Sequence, residues 1–194
     1  MAIKIVTICG SIRPGNYTSM ALELVNDEFR RASEVGLHTV DLNTVDLAFP
    51  GREPKDQSVE AFRAAVDAAT GVVFATPEYH GSFSSLTKLA IENLGFPSVL
   101  AGKPVALLGV AAGQIGAIKS LEHLRSVCSH VGALVLPALV SVARVQEVFD
   151  ESGKCLEPQS EKRIRGVARN LLDYIHGAVC PKVVLEAMMR EQAA

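Results

Sequence analysis

Five short apolar runs, Ile3–Cys9, Gly36–Leu42, Gly71–Thr76, Pro104–Val110 and Gly132–Val140, are separated by stretches long enough to hold a helix each. A strand that is apolar at nearly every position must be covered on both faces, and a helical crossover returns the chain parallel to the strand before it. The pattern predicts an α/β domain with a five-stranded, mostly parallel sheet between two helical layers. The crossovers carry helical periodicity. Ala21, Leu24, Val25, Phe29 and Ala32 share one face of a helix over Thr18–Ser33, and Val59, Phe62, Val66 and Ala69 share a face of one starting near Asp56 or Ser58. A third helix is predicted over Ser85–Leu94, a fourth around Leu121, Leu124, Cys128 and Val131, and a fifth over Ser160–His176. On the fifth, Glu161, Lys162, Arg163, Arg165 and Arg169 read as a solvated face rather than a polyanion site.

Asn43–Lys55, with Pro50-Gly51 and Glu53-Pro54, reads as a surface loop, and Asp150–Gly153 as a turn. The expected division is one domain over residues 1–176 and a tail over 177–194, whose apolar Val183, Val184, Leu185, Met188 and Met189 would pack on the domain or on another subunit.

Charge and cysteine usage narrow the function. Nineteen basic against 21 acidic residues, a net charge of −2, give no cationic field for nucleic acid or anionic lipid. No apolar stretch reaches the roughly 18 residues of a membrane span, and Met1–Ile8 enters a strand at once without a secretory signal, so a cytoplasmic location is expected. Cys9, Cys128, Cys155 and Cys180 form no CxxC pair, and His38, His80, His123, His130 and His176 form no compact metal-ligand set. Neither a zinc module nor a thiol oxidoreductase is expected.

The chemistry concentrates in three loops that follow strands. After the first strand, Gly10-Ser11-Ile12-Arg13-Pro14-Gly15-Asn16-Tyr17-Thr18 combines glycines for close or left-handed turns, hydroxyl and amide donors and one guanidinium at the start of a helix. That is the chemistry of a phosphate site, although it is neither GxxxxGK[ST] nor GxGxxG. After the third strand, Pro77-Glu78-Tyr79-His80-Gly81-Ser82-Phe83-Ser84 offers backbone polar groups and an aromatic wall from Tyr79 or Phe83. After the fourth, Ala112, Gly113, Gln114 and Gly116 allow close backbone approach beside one flexible amide. With strand order 2-1-3-4-5 the first two loops meet across the switch point, where a phosphorylated ring can bridge them.

On these residues the chain resembles the NAD(P)H-dependent FMN reductase family over about Ile3 to Ile175. Gly10, Ser11 and Arg13 match its GSxRxxS loop, with Asn16 at the usual serine and Thr18 at a usual asparagine. Pro77-Glu78-Tyr79-His80 stands for its PEYN, and Ser84-Ser85 for a later Pro-Gly. Lys88 and Ala90 match the next helix, where Leu89 and Glu92 replace an asparagine and an aspartate. Gly113 and Gly116 resemble the third loop.

The resemblance implies a flavodoxin-like three-layer sandwich and FMN held by Gly10, Ser11, Arg13, Asn16, Tyr17, Thr18, Pro77, Glu78, Tyr79, His80, Gly81, Ala112, Gly113, Gln114 and Gly116. It further implies ping-pong transfer from NADPH or NADH to quinones or other small planar acceptors, with no catalytic side chain, in a homodimer or homotetramer. A flavodoxin-like electron carrier without nicotinamide activity and a sugar-phosphate or nucleotide enzyme are the alternatives.

Overall fold

The computed structural model describes residues 2–193. Strand β1 (Ile3–Cys9) leads to α1 (Tyr17–Arg30), β2 (Val35–Val40) to α2 (Ser58–Asp67), and β3 (Gly71–Tyr79) through the short β4 (Ser82–Phe83) to α3 (Ser85–Glu92). Then come β5 (Pro104–Val110), α4 (Ile118–His130), the short strands β6 (Leu134–Val135) and β7 (Val140–Val142), α5 (Val145–Val148), α6 (Pro158–Tyr174) and α7 (Cys180–Ala193). The sheet runs β2-β1-β3-β5-β6 in parallel, with β7 also pairing with β5 and β4 antiparallel to β3. This is the expected flavodoxin-like order.

Side chains alternate between two cores with the period of a pleated strand. Ile3, Ile5, Val73, Ala75, Ala106 and Leu108 face α1 and α6, where they meet Val25, Phe29, Ile164 and Leu171. Val6, Ile8, Val72, Phe74, Val105 and Leu107 face α2, α3 and α4, against Phe62, Ile91, Leu124 and Cys128. The strands are apolar at consecutive positions because both faces are covered.

Several elements differ from expectation. The fifth strand is two strands, because Pro137 has no N–H to give a ladder and Ala138 turns at φ +63°, so Pro137–Leu139 leaves the sheet between β6 and β7. Strand β3 continues to Tyr79, which makes Pro77–Tyr79 strand rather than loop. Arg165 is not on a wet face: it is largely buried, ties Glu161 at 2.8 Å and reaches Asp27 and Glu28 of α1, joining the two helices of one layer. Helix α6 runs on through a π-helical segment, Ile175–Val179, into α7, where Val183, Val184, Leu185, Met188 and Met189 are exposed on this chain.

Register decides where the loops emerge. Cys9 pairs with Ala75 and Pro77 with Val110, so the chain segments leaving β1, β3 and β5 share one edge of the sheet. That edge is the carboxyl end of the strands at the point where β1 and β3 wind in opposite directions, the usual ligand crevice of an open parallel sheet.

Candidate functional site

The segment between β1 and α1 is shaped by its own side chains. Asn16 is the N-cap: its Oδ1 accepts from the Ser19 N–H at 2.8 Å, and its Nδ2 donates to the Arg13 carbonyl at 2.6 Å. Neither Ser11 nor Thr18 caps the helix. The Asn16 amide is therefore engaged within the loop, whereas the buried Ser11 hydroxyl has no protein partner. Gly15 turns at φ +61°. The Arg13 side chain is exposed, and among the described residues no carboxylate lies within ion-pair distance of it. An unpartnered buried hydroxyl, the free N–H groups of a helix start and an unpaired guanidinium suit a phosphate dianion.

Gly10 joins this segment to its neighbour. Its N–H donates to the Ala75 carbonyl at 2.7 Å and its carbonyl accepts from Ser84 Oγ at 2.6 Å. A Cβ there would sit 2.0 Å from Thr87 Oγ1, so no larger residue fits without moving α3.

After Tyr79 the chain makes a β-hairpin. His80 and Gly81 both take positive φ, 51° and 75°, as the two central residues of a primed turn, and Tyr79 then pairs with Ser82 and Glu78 with Phe83. His80 thus stands where asparagine is the commoner choice, and its role in the fold is to turn the hairpin. Glu78 Oε2 accepts from the Ser120 N–H at 3.2 Å, in the first turn of α4, a helix whose own N-cap, Ala117, has no side-chain bond to give. Ser82 Oγ and His123 Nδ1 lie 3.1 Å apart, which anchors the hairpin on the same helix.

The third segment, after β5, is held by backbone bonds to the β7–α5 corner. The Ala111 N–H donates to the Val142 carbonyl at 2.9 Å, Val145 N–H to Ala111 at 3.1 Å and Arg144 N–H to Gly113 at 3.2 Å. Arg144 adopts a left-handed conformation, φ +45°, at this corner. Gly116 turns at φ +75° with Ser141 Oγ packed against it, and that hydroxyl accepts from the Ala117 N–H at 2.8 Å.

These segments wall one cleft of about 430 Å³, within the range of small-molecule sites. Of the expected residues, Ser11, Arg13, Asn16, Tyr17, Thr18, Pro77, Glu78, Tyr79 and Ala112 line it. Gly10 is packed against Thr87 and Ala75 outside the lining, His80 and Gly81 sit in the hairpin turn, and Gly113, Gln114 and Gly116 are not among the lining residues. The lining also includes Pro14, Gly15, Val110, Ala111 and Val145. Pro14 and Gly15 are inside the loop motif and were within reach of sequence reasoning. Val145 was not, because it arrives on α5, an element hidden by reading β6 and β7 as one strand.

The lining combines donors from 11–18 with Pro77, Val110, Ala111 and the partly exposed ring of Tyr79. This layout fits a molecule with a phosphate tail and a planar head. A larger hollow, about 570 Å³, lies between Ile118, Arg144, Leu156 and Arg163, and neither the 11–18 segment nor Pro77–Tyr79 reaches it.

Burial disfavours the thiolate form at Cys9 and Cys128. Burial raises the pKa of Cys9, outweighing a backbone hydrogen bond from Ser11 that lowers it, and burial pushes Cys128 up to about 12. Among the described residues no cluster of three His, Cys, Asp or Glu side chains is placed to hold a metal ion, and no helix is long and apolar enough to cross a membrane.

Comparison with known proteins adds an independent finding. The family model described as NADPH-dependent FMN reductase matches residues 3–147. An NAD(P)H-dependent FMN reductase from Pseudomonas aeruginosa is 33% identical over 175 residues, covering 84% of this chain and 90% of the relative. A quinone reductase from Escherichia coli is 28% identical over 170 residues, covering 84% of this chain and 90% of its own length. Among solved structures, the flavoenzyme NAD(P)H:(acceptor) oxidoreductase FerB from Paracoccus denitrificans aligns with a TM-score of 0.74 at 20% identity, over 90% of this chain and 98% of that one. At that identity the likeness to FerB is one of fold.

Proposed function

The chain belongs to the NADPH-dependent FMN reductase family, and on that premise we propose that it is an FMN-containing oxidoreductase using NADPH or NADH to reduce quinones or other small planar acceptors. The observation that carries this reading is the single cleft walled by both Ser11–Thr18 and Pro77–Tyr79. When bound, FMN would supply the redox chemistry, accepting hydride from the nicotinamide and returning two electrons to the acceptor.

The protein's part is to bind and orient. Ser11 Oγ, unpartnered and buried, donates to the phosphate, the first N–H groups of α1 add their partial charge, and Arg13 supplies the counter-charge at the solvent side. Pro77, Val110, Ala111 and Ala112 bring backbone and small side chains close enough for a flat ring to lie on them. Tyr79, exposed at the rim, offers an aromatic face beside the open side of the ring. Glu78, tied to α4, fixes the hairpin that carries Tyr79. His80, Gly81, Gly113, Gln114 and Gly116 act through the shape of their turns or at the mouth. No side-chain nucleophile is needed. One open face serves donor and acceptor in turn, which gives ping-pong kinetics.

The unit that binds FMN is residues 1–176, with 177–194 as a tail, in a cytoplasmic homodimer or homotetramer without nucleic-acid or membrane partners. Light scattering during size-exclusion chromatography reads the stoichiometry. The function is tested by loading the protein with FMN and mixing it anaerobically with NADPH or NADH in a stopped-flow spectrometer. Rapid bleaching of the flavin by at least one of them, followed by reoxidation with a quinone, is expected. Full FMN occupancy with no bleaching by either nucleotide rejects the proposal in favour of a carrier.

A further inference from the structure

Three hydroxyls behind the cleft form a closed hydrogen-bond set. Thr76, Ser84 and Thr87 are buried side chains on β3, at the N-cap of α3 and in its first turn. Ser84 Oγ donates its one proton to the Gly10 carbonyl at 2.6 Å, and it accepts from the Thr87 N–H at 3.1 Å. Thr76 Oγ1 donates to the Pro77 carbonyl at 3.0 Å and accepts from the Ser84 N–H at 3.2 Å. Thr87 Oγ1 lies 2.9 Å from Ser84 Oγ, where its own proton completes the set. Capping α3 needs only the acceptor side of Ser84. The donor side reaches across 74 residues of sequence to one carbonyl, that of Gly10.

That carbonyl belongs to the peptide unit whose N–H is Ser11's. A planar trans peptide directs C=O and N–H oppositely, so fixing the Gly10 carbonyl towards Ser84 turns the Ser11 N–H away from α3. Gly10 is gripped at its other end by the Ala75 carbonyl, and its missing Cβ leaves room for Thr87. The residue so oriented is the one whose buried hydroxyl has no protein partner and which lines the cleft.

We propose that Ser84 is a positioning residue for the flavin phosphate: its hydroxyl clasps the Gly10 carbonyl and thereby aims the donors of Ser11 at the phosphate end of the cleft. This rests on the FMN reading above and adds a residue that touches neither the cleft nor the cofactor. A phosphate-positioning role differs from a merely structural one in what it discriminates. Loss of the clasp must weaken FMN more than riboflavin, which has the same ring and no phosphate.

The experiment titrates FMN and riboflavin into apoprotein by flavin fluorescence, with wild type, Ser84→Gly, Ser84→Ala and the exposed neighbour Ser85→Ala as control. Glycine is the preferred variant because it is nearly as good an N-cap as serine, so α3 is retained while the clasp is lost. Both Ser84 variants should raise the FMN Kd about five- to tenfold and leave riboflavin within about twofold, as expected for one lost hydrogen bond in the loop. Should either fail to fold, Ser84→Cys, which keeps the position with a weaker donor, shows the same shift in smaller measure. An unchanged FMN-to-riboflavin ratio in the variants overturns the clasp, even if both affinities fall together. Wild-type protein that binds neither flavin overturns the FMN reading, and the clasp with it.

Discussion

Two segments that both contribute to the cleft are built on opposite principles. The one from Gly10 to Thr18 is fixed by side chains: the Asn16 amide bonds to Ser19 and Arg13, the Ser84 hydroxyl bonds to Gly10, and Thr87 occupies the space that a side chain on Gly10 would need. The one from Ala111 to Ala117 is fixed mostly by the backbone, through Ala111 to Val142, Val145 to Ala111 and both Gly116 and Arg144 to Gly113. Backbone bonds are available to any residue except proline, so they hold a shape without specifying a sequence. The phosphate side is thus narrowly encoded and the opposite side broadly tolerant.

The most severe test on the encoded side is Gly10→Ala. The new Cβ would approach Thr87 Oγ1 to 2.0 Å and the Ala75 carbonyl oxygen to 3.0 Å, and the latter is backbone in the central sheet. A loss of about 3 kcal/mol in urea unfolding is expected, the upper end of ordinary overpacking, with loss of FMN retention. A variant that unfolds at the wild-type urea midpoint would break the contrast at its strongest point. Gly116→Ala probes the one narrow position on the tolerant side. There φ is +75° and a Cβ would lie 2.4 Å from Ser141 Oγ, so a loss of about 2 kcal/mol is expected by the same measurement. An effect equal to that of Gly10→Ala would mean that the two sides are equally constrained.

The same contrast explains what could be read from the sequence. The fold was legible because β1, β3 and β5 are apolar at successive positions, and a two-sided core leaves no other pattern for a central strand. The phosphate segment was legible because side-chain chemistry fixes its geometry, and Gly10, Ser11, Arg13 and Asn16 carry that chemistry in their names. Its internal assignments were less so: Asn16 reads as a ligand donor, yet its amide is engaged within the loop. Ser84 read as part of the ring-side loop, since nothing local reveals a partner 74 positions away. On the backbone-held side, the place of Val145 in the lining depends on how β7 and α5 meet Ala111 and Gly113, which residue types do not announce. For the same reason residue types do not announce that, of Ala112, Gly113, Gln114 and Gly116, Ala112 is the one in the lining.

Asn16→Ala removes the cap and the bond to the Arg13 carbonyl together, while leaving the backbone path open. About 1 to 2 kcal/mol of stability should be lost, the usual range for an N-cap replaced by alanine. Thermal unfolding with and without FMN sharpens the comparison, because the deficit should grow when the cofactor is present if the cap also orders the phosphate-binding amides. A deficit that is the same in both conditions would confine Asn16 to the helix.

The smallest expected effect is the most informative about the tolerant side. Gln114 is exposed, lies outside the cleft lining and has no side-chain hydrogen bond among the described residues, while its neighbours Gly113 and Gly116 carry the backbone bonds that hold the turn. Gln114→Ala should therefore change stability by less than about 0.5 kcal/mol, the ordinary range for a surface substitution, and leave FMN affinity unaltered. If the Gln114 amide instead reaches over the bound ring, FMN affinity or acceptor KM will shift by several-fold at unchanged stability. Only a side chain recruited by the cofactor produces that pattern, and its appearance would move this segment from backbone-held scaffold to active recognition.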